Sequence, residues 1–258
     1  MLSAGEPRRH SCLSPSAELF FHRTIHRPSD WLTVLIGVLR QLSLYRGNHA
    51  ISSPRDAVAR TSRAYHDHRE RFLQVWGKNP YRRPPLLADL LRRTPRTAYL
   101  LDLGCGAGQD TRAIRRAGFR VVGLDINHSL LDYARRRSPR LTLVQADIRN
   151  LPYVDGAFDG LWAAASLIHL PKISVRASFR RLAELTKPGG LFAATLVHGR
   201  HSGTLQTGWI PGRFISRWQK QELVTALGRA GWEMLELKMV SGQERKGRWL
   251  NLLARRPT

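Results

Sequence analysis

Apolar and polar positions change period along this 258-residue chain, and the changes mark out its elements. From Met1 to about Pro54 the residues mix Pro, Ser, His and Arg around one apolar patch, and neither a helical nor a strand period persists. Near Asp56 a helical pattern begins, with Val58, Ala64, Tyr65, Phe72, Leu73, Val75 and Trp76 falling largely along one side. Pro84 and Pro85 suit the first turn of a second helix, LLADLLRR (Leu86 to Arg93), which Pro95 ends. Short apolar runs then alternate with helical stretches. The strands read are Tyr99 to Leu103, Arg120 to Leu124, Leu141 to Gln145, Phe158 to Ala163 and Leu191 to Leu196, with helices over Gln109 to Ala117, Ser129 to Arg137 and Ile173 to Thr186. Such alternation predicts a parallel sheet covered on both faces. Lys187 to Gly190 read as the turn into the fifth strand. A Gly-, His- and Ser-rich loop with Trp209, Phe214 and Trp218 follows, then a helix from Gln219 to Ala230. Trp232 to Val240 and Trp249 to Arg256 read as a closing antiparallel pair.

The densest chemical signal is LLDLGCGAGQDT, Leu100 to Thr111. An apolar strand runs into Gly104, Gly106 and Gly108 and then into a helix, so the backbone can turn tightly and approach a ligand with no Cβ in the way. A second buried strand, FRVVGLD, ends in Asp125, 23 residues after Asp102. The glycines follow G-x-G-x-G, and Asp110 and Thr111 stand where the G-x-G-x-x-G of nicotinamide enzymes would continue.

This spacing, Asp147 after the third strand and the K-P-G-G corner resemble the class I S-adenosylmethionine (SAM)-dependent methyltransferases, in particular small bacterial-type members with a methyltransferase 11/25-like domain. The resemblance covers residues 55–258, about four fifths of the chain. It implies a Rossmann-like three-layer α/β sandwich on a mostly parallel seven-stranded sheet with an antiparallel C-terminal strand, and SAM as cofactor. Gly104 and Gly106, with Gly108 completing the turn, would run against the methionine part, whose carboxylate suits the amides of the following helix. Asp102 would meet the ammonium group, and Asp125, with Ile126 beside it, the two ribose hydroxyls. Asp147 and the N–H of Ile148 would face adenine, although an ordinary turn or cap aspartate fits Asp147 equally well on its own. Ala163 and Ala164 are small enough to let the cofactor pass.

AFDGLWAAASLIHLP (Ala157 to Pro171) matches the family's fourth strand and the loop where methyl meets acceptor. His169 is the side chain there that titrates near neutrality, so it is the candidate general base; packing or capping at a helix start is an equal alternative. Tyr65 and Arg69 are candidates to cover the cofactor or bind an anionic acceptor, against helix-face packing and solvation. Trp209, Arg213, Trp218 and Trp249 are candidates for an acceptor pocket with aromatic walls and one cation, with core packing an alternative for Trp249.

Charge widens the choice of partners. The formal net charge is +23, which favours polyanions, yet only six of the 42 basic residues are lysine and the 36 arginines spread along the whole chain. Arginine-rich coding bias accounts for that better than a nucleic-acid footprint. No N-P-P-Y-like tetrapeptide follows the fourth strand, which argues against amino-methylating nucleic-acid enzymes. The expected partner is a small-molecule acceptor, with an RNA methyltransferase or a SAM-binding regulator without turnover as alternatives; no motif speaks to oligomeric state. Cys12 and Cys105 differ in setting and indicate no disulfide framework, Cys105 fitting the crowded turn by its small size. The ten histidines show no metal-ligand spacing, so no metal is expected.

The apolar run Trp31 to Leu39 is too short to span a bilayer, and the cytoplasm is the expected compartment. Residues 1–54 are expected to be a poorly ordered basic head. It is similar to an organellar transit segment, and a start assigned too early is the simpler account.

Overall fold

A computed structural model describes residues 57–77, 81–241 and 247–258; the head predicted for residues 1–54, with Cys12 and the run Trp31 to Leu39, lies outside them. Helices α1 (Ala57–Asp67), α2 (Arg69–Trp76) and α3 (Pro85–Arg93) lead into β1 (Tyr99–Leu103). Then come α4 (Gln109–Arg116), β2 (Arg120–Asp125), α5 (His128–Arg137), β3 (Thr142–Gln145), β4 (Phe158–Ala164), a 3-10 turn (Leu167–His169), α6 (Lys172–Leu185) and β5 (Thr186–His198). The chain finishes with β6 (Gly203–Thr204), β7 (Phe214–Ile215), β8 (Arg217–Trp218), α7 (Lys220–Gly228), β9 (Glu233–Ser241) and β10 (Arg248–Arg255).

The sheet runs β3-β2-β1-β4-β5-β10-β9, seven strands of which β10 alone runs opposite to the others. The short β8 adds a parallel pairing at the end of β5. Strand alternation sorts the core into two layers. Leu101, Leu103, Val122 and Leu124 pack with Phe179 and Leu182 of α6 and Leu223 and Leu227 of α7. Leu100, Val121 and Trp162 pack with Leu86, Leu87, Leu90 and Leu91 of α3 and Ile114 of α4. Each fully buried leucine contributes roughly 1.5 to 3 kcal/mol. From β1 the strand order proceeds one way through β2 and β3 and the other way through β4 and β5. That reversal leaves a crevice at the carboxyl ends of β1 and β4, where open α/β sheets bind ligands.

Two local readings change. The helix expected near Asp56 is two helices meeting at His68, across which the Tyr65 and Phe72 rings pack edge-on at 5.5 Å. Lys187 to Gly190 do not separate helix from strand; they lie inside β5, where Thr186 pairs with Phe158 but Leu191 already pairs with Gly160. Three surplus residues bulge out at this point. Backbone bonds from Gly189 N to Arg256 O (2.8 Å) and from Arg256 N to Gly190 O (2.9 Å) keep the bulge attached to the end of β10.

Candidate active site

Three glycines make the turn between β1 and α4, and each has left-handed backbone, with φ of +73° at Gly104, +52° at Gly106 and +72° at Gly108. Their surroundings differ. A Cβ on Gly104 would sit 2.3 Å from Ser166 Cβ, and one on Gly108 3.0 Å from Ala134 Cβ. Gly108 therefore serves the packing of α4 on α5 and lies outside the cavity, contrary to its expected contact with a cofactor. At Gly106 a Cβ would press on the edge of the Phe72 ring, 3.2 Å away, and both residues line the cavity. The turn is tied to β2: Gly104 N and Cys105 N both donate to Leu124 O, at 2.7 and 2.9 Å, and Gly106 N donates to Asp125 Oδ2 at 2.8 Å. Burial pushes the Cys105 thiol well up, which removes the thiolate a nucleophile would need.

Three carboxyl groups ring this turn. Asp102 accepts from Thr111 Oγ1 at 2.5 Å. Asp110, in the first turn of α4, accepts from Tyr81 Oη at 2.7 Å and Trp162 Nε1 at 2.8 Å. Asp125 accepts from the backbone N–H groups of Gly106 and Asn127, both at 2.8 Å. Burial holds all three above the ordinary carboxyl value, with the charge of Asp110 adding to the effect on Asp102. Among the described residues no lysine or arginine pairs with any of them, so they present uncompensated acceptor capacity to whatever enters.

The carboxylates and the turn open into one cavity of about 950 Å³. Its roof is α1 and α2, through Val58, Thr61, Tyr65, Phe72 and Trp76. Ile126, Asp147 and Ile148 form one wall. Asp147 is held in a fork by Arg149, whose Nε and Nη2 donate to Oδ2 at 2.9 and 2.7 Å. Ala163 does not line the cavity: it is fully buried, and Ala164, one residue on and so on the other face of the strand, lines it instead. Ala164, Thr195 and Asn251 are register partners across β4, β5 and β10 and all border the cavity. Ala165 has φ +54°, which is unusual for a residue with a side chain, and its N–H donates to Thr195 Oγ1 at 2.9 Å.

Tyr65 and His169 meet here, 104 residues apart in sequence, with Tyr65 Oη and His169 Nε2 at 2.9 Å. His169 Nδ1 lies 2.9 Å from Phe214 O. A carbonyl only accepts, so Nδ1 carries the proton, Nε2 offers its lone pair, and Tyr65 is the donor.

Four expected acceptor-site residues stand elsewhere. Arg69 is exposed and pairs with Glu70 at 2.6 Å. Trp218 is fully buried against Phe179, with Lys172 and Arg176 over its ring. Trp209 stacks on Phe72 behind the cavity wall, its centroid 6.2 Å away. Arg213, only 5 % exposed, packs on Trp209 and reaches Tyr65 Oη at 3.4 Å, so it stands one layer behind the lining. Trp249 does line the cavity. Asp110, Trp162 and Asn251 were missed. Asn251 carried a signal, being the one uncharged polar residue in the apolar run WLNLLA.

Residues 100–190 match the methyltransferase domain family. The chain is 30 % identical over 179 residues to an uncharacterised methyltransferase of Synechocystis sp., covering 66 % of this chain and 82 % of that one. It is 32 % identical over 161 residues to the methyltransferase GfsG of Streptomyces halstedii, covering 57 % of this chain and only 56 % of GfsG. Among solved structures, the 1,6-didemethyltoxoflavin-N1-methyltransferase of Burkholderia thailandensis, with bound 1,6-didemethyltoxoflavin and S-adenosylhomocysteine, shares the fold. Its TM-score is 0.63 at 23 % identity, covering 82 % of this chain and 93 % of that one. With its glycine turn and ring of carboxylates at the sheet's switch point, this chain belongs to the class I SAM-dependent methyltransferases.

Proposed function

We propose that this methyltransferase acts on an O, N or C atom of a small-molecule acceptor held beside SAM in this cavity. The observation that carries the reading is the cavity itself: about 950 Å³, bounded by the glycine turn at one end and by Tyr65, His169, Trp249 and Asn251 elsewhere. That volume is at the upper end for small-molecule sites and suits a cofactor plus a compact acceptor. Its lining includes one arginine, Arg82, and no lysine among the described residues, so the basic character of the chain does not extend into the reaction space. This favours a small molecule over RNA.

The residues present fit SAM. Asp102, buried, and Asp110, half-buried, have no cationic partner among the described residues and suit an ammonium group, and Asp125 suits a ribose diol. The Gly106 backbone, which lines the cavity, and the first amides of α4 suit the methionine backbone and carboxylate. Asp147 and the Ile148 N–H suit adenine, with Ile126 against the ring system. When bound, SAM supplies an electrophilic methyl on a sulfonium. The chain's own part is to align the acceptor, exclude water and take a proton, His169 being the base.

Calorimetric titration with SAM and with NAD, followed by SAM-dependent turnover on a metabolite extract read by mass spectrometry, tests the proposal. SAM binding and one product heavier than its precursor by one methylene are expected. Methylation confined to added RNA would overturn the small-molecule reading.

A further inference from the structure

We infer that Tyr65 is the residue that takes the acceptor's proton, with His169 behind it and Arg213 beside it, and that the acceptor is therefore a hydroxyl or amine compound rather than a carboxylate. The inference rests on His169 being the base.

His169 has one N–H and one lone pair: the N–H is committed to Phe214 O and the lone pair to Tyr65 Oη, each at 2.9 Å. The imidazole therefore has no free polar atom for an acceptor in this arrangement. Tyr65 Oη donates its proton to His169 and still has lone pairs, and Tyr65 lines the cavity. Arg213 strengthens the case independently. Its guanidinium is buried, its Nε donates to Ile210 O at 2.8 Å, and among the described residues it has no carboxylate partner. One of its terminal nitrogens reaches Tyr65 Oη at 3.4 Å, and the group lies 5.8 Å from the Tyr65 ring centroid. The guanidinium thus aims an N–H at the phenol oxygen and holds it in place beside His169. The assembly is held by α1, since Thr61, one turn before Tyr65, accepts from Phe214 N at 2.9 Å through its Oγ1 and so ties down the residue whose carbonyl meets His169.

The step balances. As the acceptor atom uses an electron pair to bond the methyl, its proton passes to Tyr65 Oη, the Tyr65 proton passes to His169 Nε2, and the S–C pair stays on sulfur. The imidazolium then releases its proton to water. A carboxylate acceptor, already ionised at neutral pH, would need none of this.

Two measurements test the relay. In the free enzyme labelled with 15N-histidine, long-range 1H–15N spectra should show His169, assigned by its loss in His169→Asn, as the neutral Nδ1-protonated tautomer. Tyr65→Phe should shift the Nε2 resonance and leave Nδ1 in place; an Nε2-protonated ring would overturn the relay. With methyl-labelled SAM and catechol, aniline and benzoate as probe acceptors, catechol or aniline should be methylated in preference to benzoate. Tyr65→Phe and His169→Asn should each lower kcat by about 100-fold or more with KM little changed, and the double variant should be no slower than either single one. S-adenosylhomocysteine binding and thermal melting serve as folding controls. Full kcat in Tyr65→Phe with loss in His169→Asn would sink the relay and leave His169 as a direct base. Full kcat in both would remove His169 as the base altogether. Preference for benzoate would overturn the acceptor class.

Discussion

Replacing Asp125 with alanine separates two jobs that its carboxylate is able to do. In the free enzyme it accepts from Gly106 N and Asn127 N, both at 2.8 Å, and so clamps the glycine turn to the start of α5. Bonds to a charged acceptor contribute about 1.5 to 3 kcal/mol each, but burial holds this carboxyl above its usual value, so desolvation offsets part of the gain. A net loss of about 1 to 2 kcal/mol in urea unfolding of the free protein is expected. If the carboxylate also binds the ribose diol, SAM affinity by calorimetry should fall by about 10- to 100-fold, or ~1.4 to 2.8 kcal/mol. Asp125→Asn should lie between, because its amide turns a donor toward one of the two backbone N–H groups. Wild-type SAM affinity in Asp125→Ala would refute the ribose role, and a fall in stability alone would reduce Asp125 to a clamp on the turn.

Burial raises the native carboxyls of Asp102, Asp110 and Asp125 above the ordinary value of about 3.9, so each contributes stability fully below that value and loses it as pH rises through its native value. Asp102→Asn, which can still accept from Thr111, should raise the urea midpoint at pH 8 and flatten the decline from pH 4 to 8, while SAM binding weakens; an unchanged pH slope would contradict this. Gly104→Ala places a side chain in left-handed backbone and 2.3 Å from Ser166 Cβ, so it should lower the melting temperature by several degrees and abolish SAM binding, with partial recovery when Ser166→Gly is added. A wild-type melting curve for Gly104→Ala would disprove the clash. Trp218→Ala should lose about 3 to 5 kcal/mol of stability with SAM affinity retained in the folded fraction, and a change confined to acceptor KM would instead return Trp218 to the pocket.

What could be read ahead of the structure follows from how local each property is. The strands around the glycine turn and the position of Asp125 follow from short continuous apolar runs and from residues that tolerate a tight turn, all expressed within a few positions. The K-P-G-G segment defeated the same reasoning: Pro188, Gly189 and Gly190 signal a turn whether the chain leaves the sheet or bulges within it, and only the pairing with β4 and β10 distinguishes the two. Ala163 and Ala164 illustrate register. Neighbouring small residues in a strand point to opposite faces, and which of them meets the cavity depends on where the roof is built.

The aromatic residues of the region after β5 were indistinguishable as a list. Trp218 is packed into the core by α6, Trp209 stacks behind the wall, and Arg213 is drawn beside Tyr65. The sequence by itself determined the alternation of strands and helices from Tyr99 to β5, the glycine turn and the acidic residues following the strands, because backbone sterics and side-chain patterning act over short spans. Tertiary structure alone decided that Asp110 meets Trp162 across 52 residues and Tyr65 meets His169 across 104, since a cavity is formed by side chains from distant segments whose approach no local pattern records.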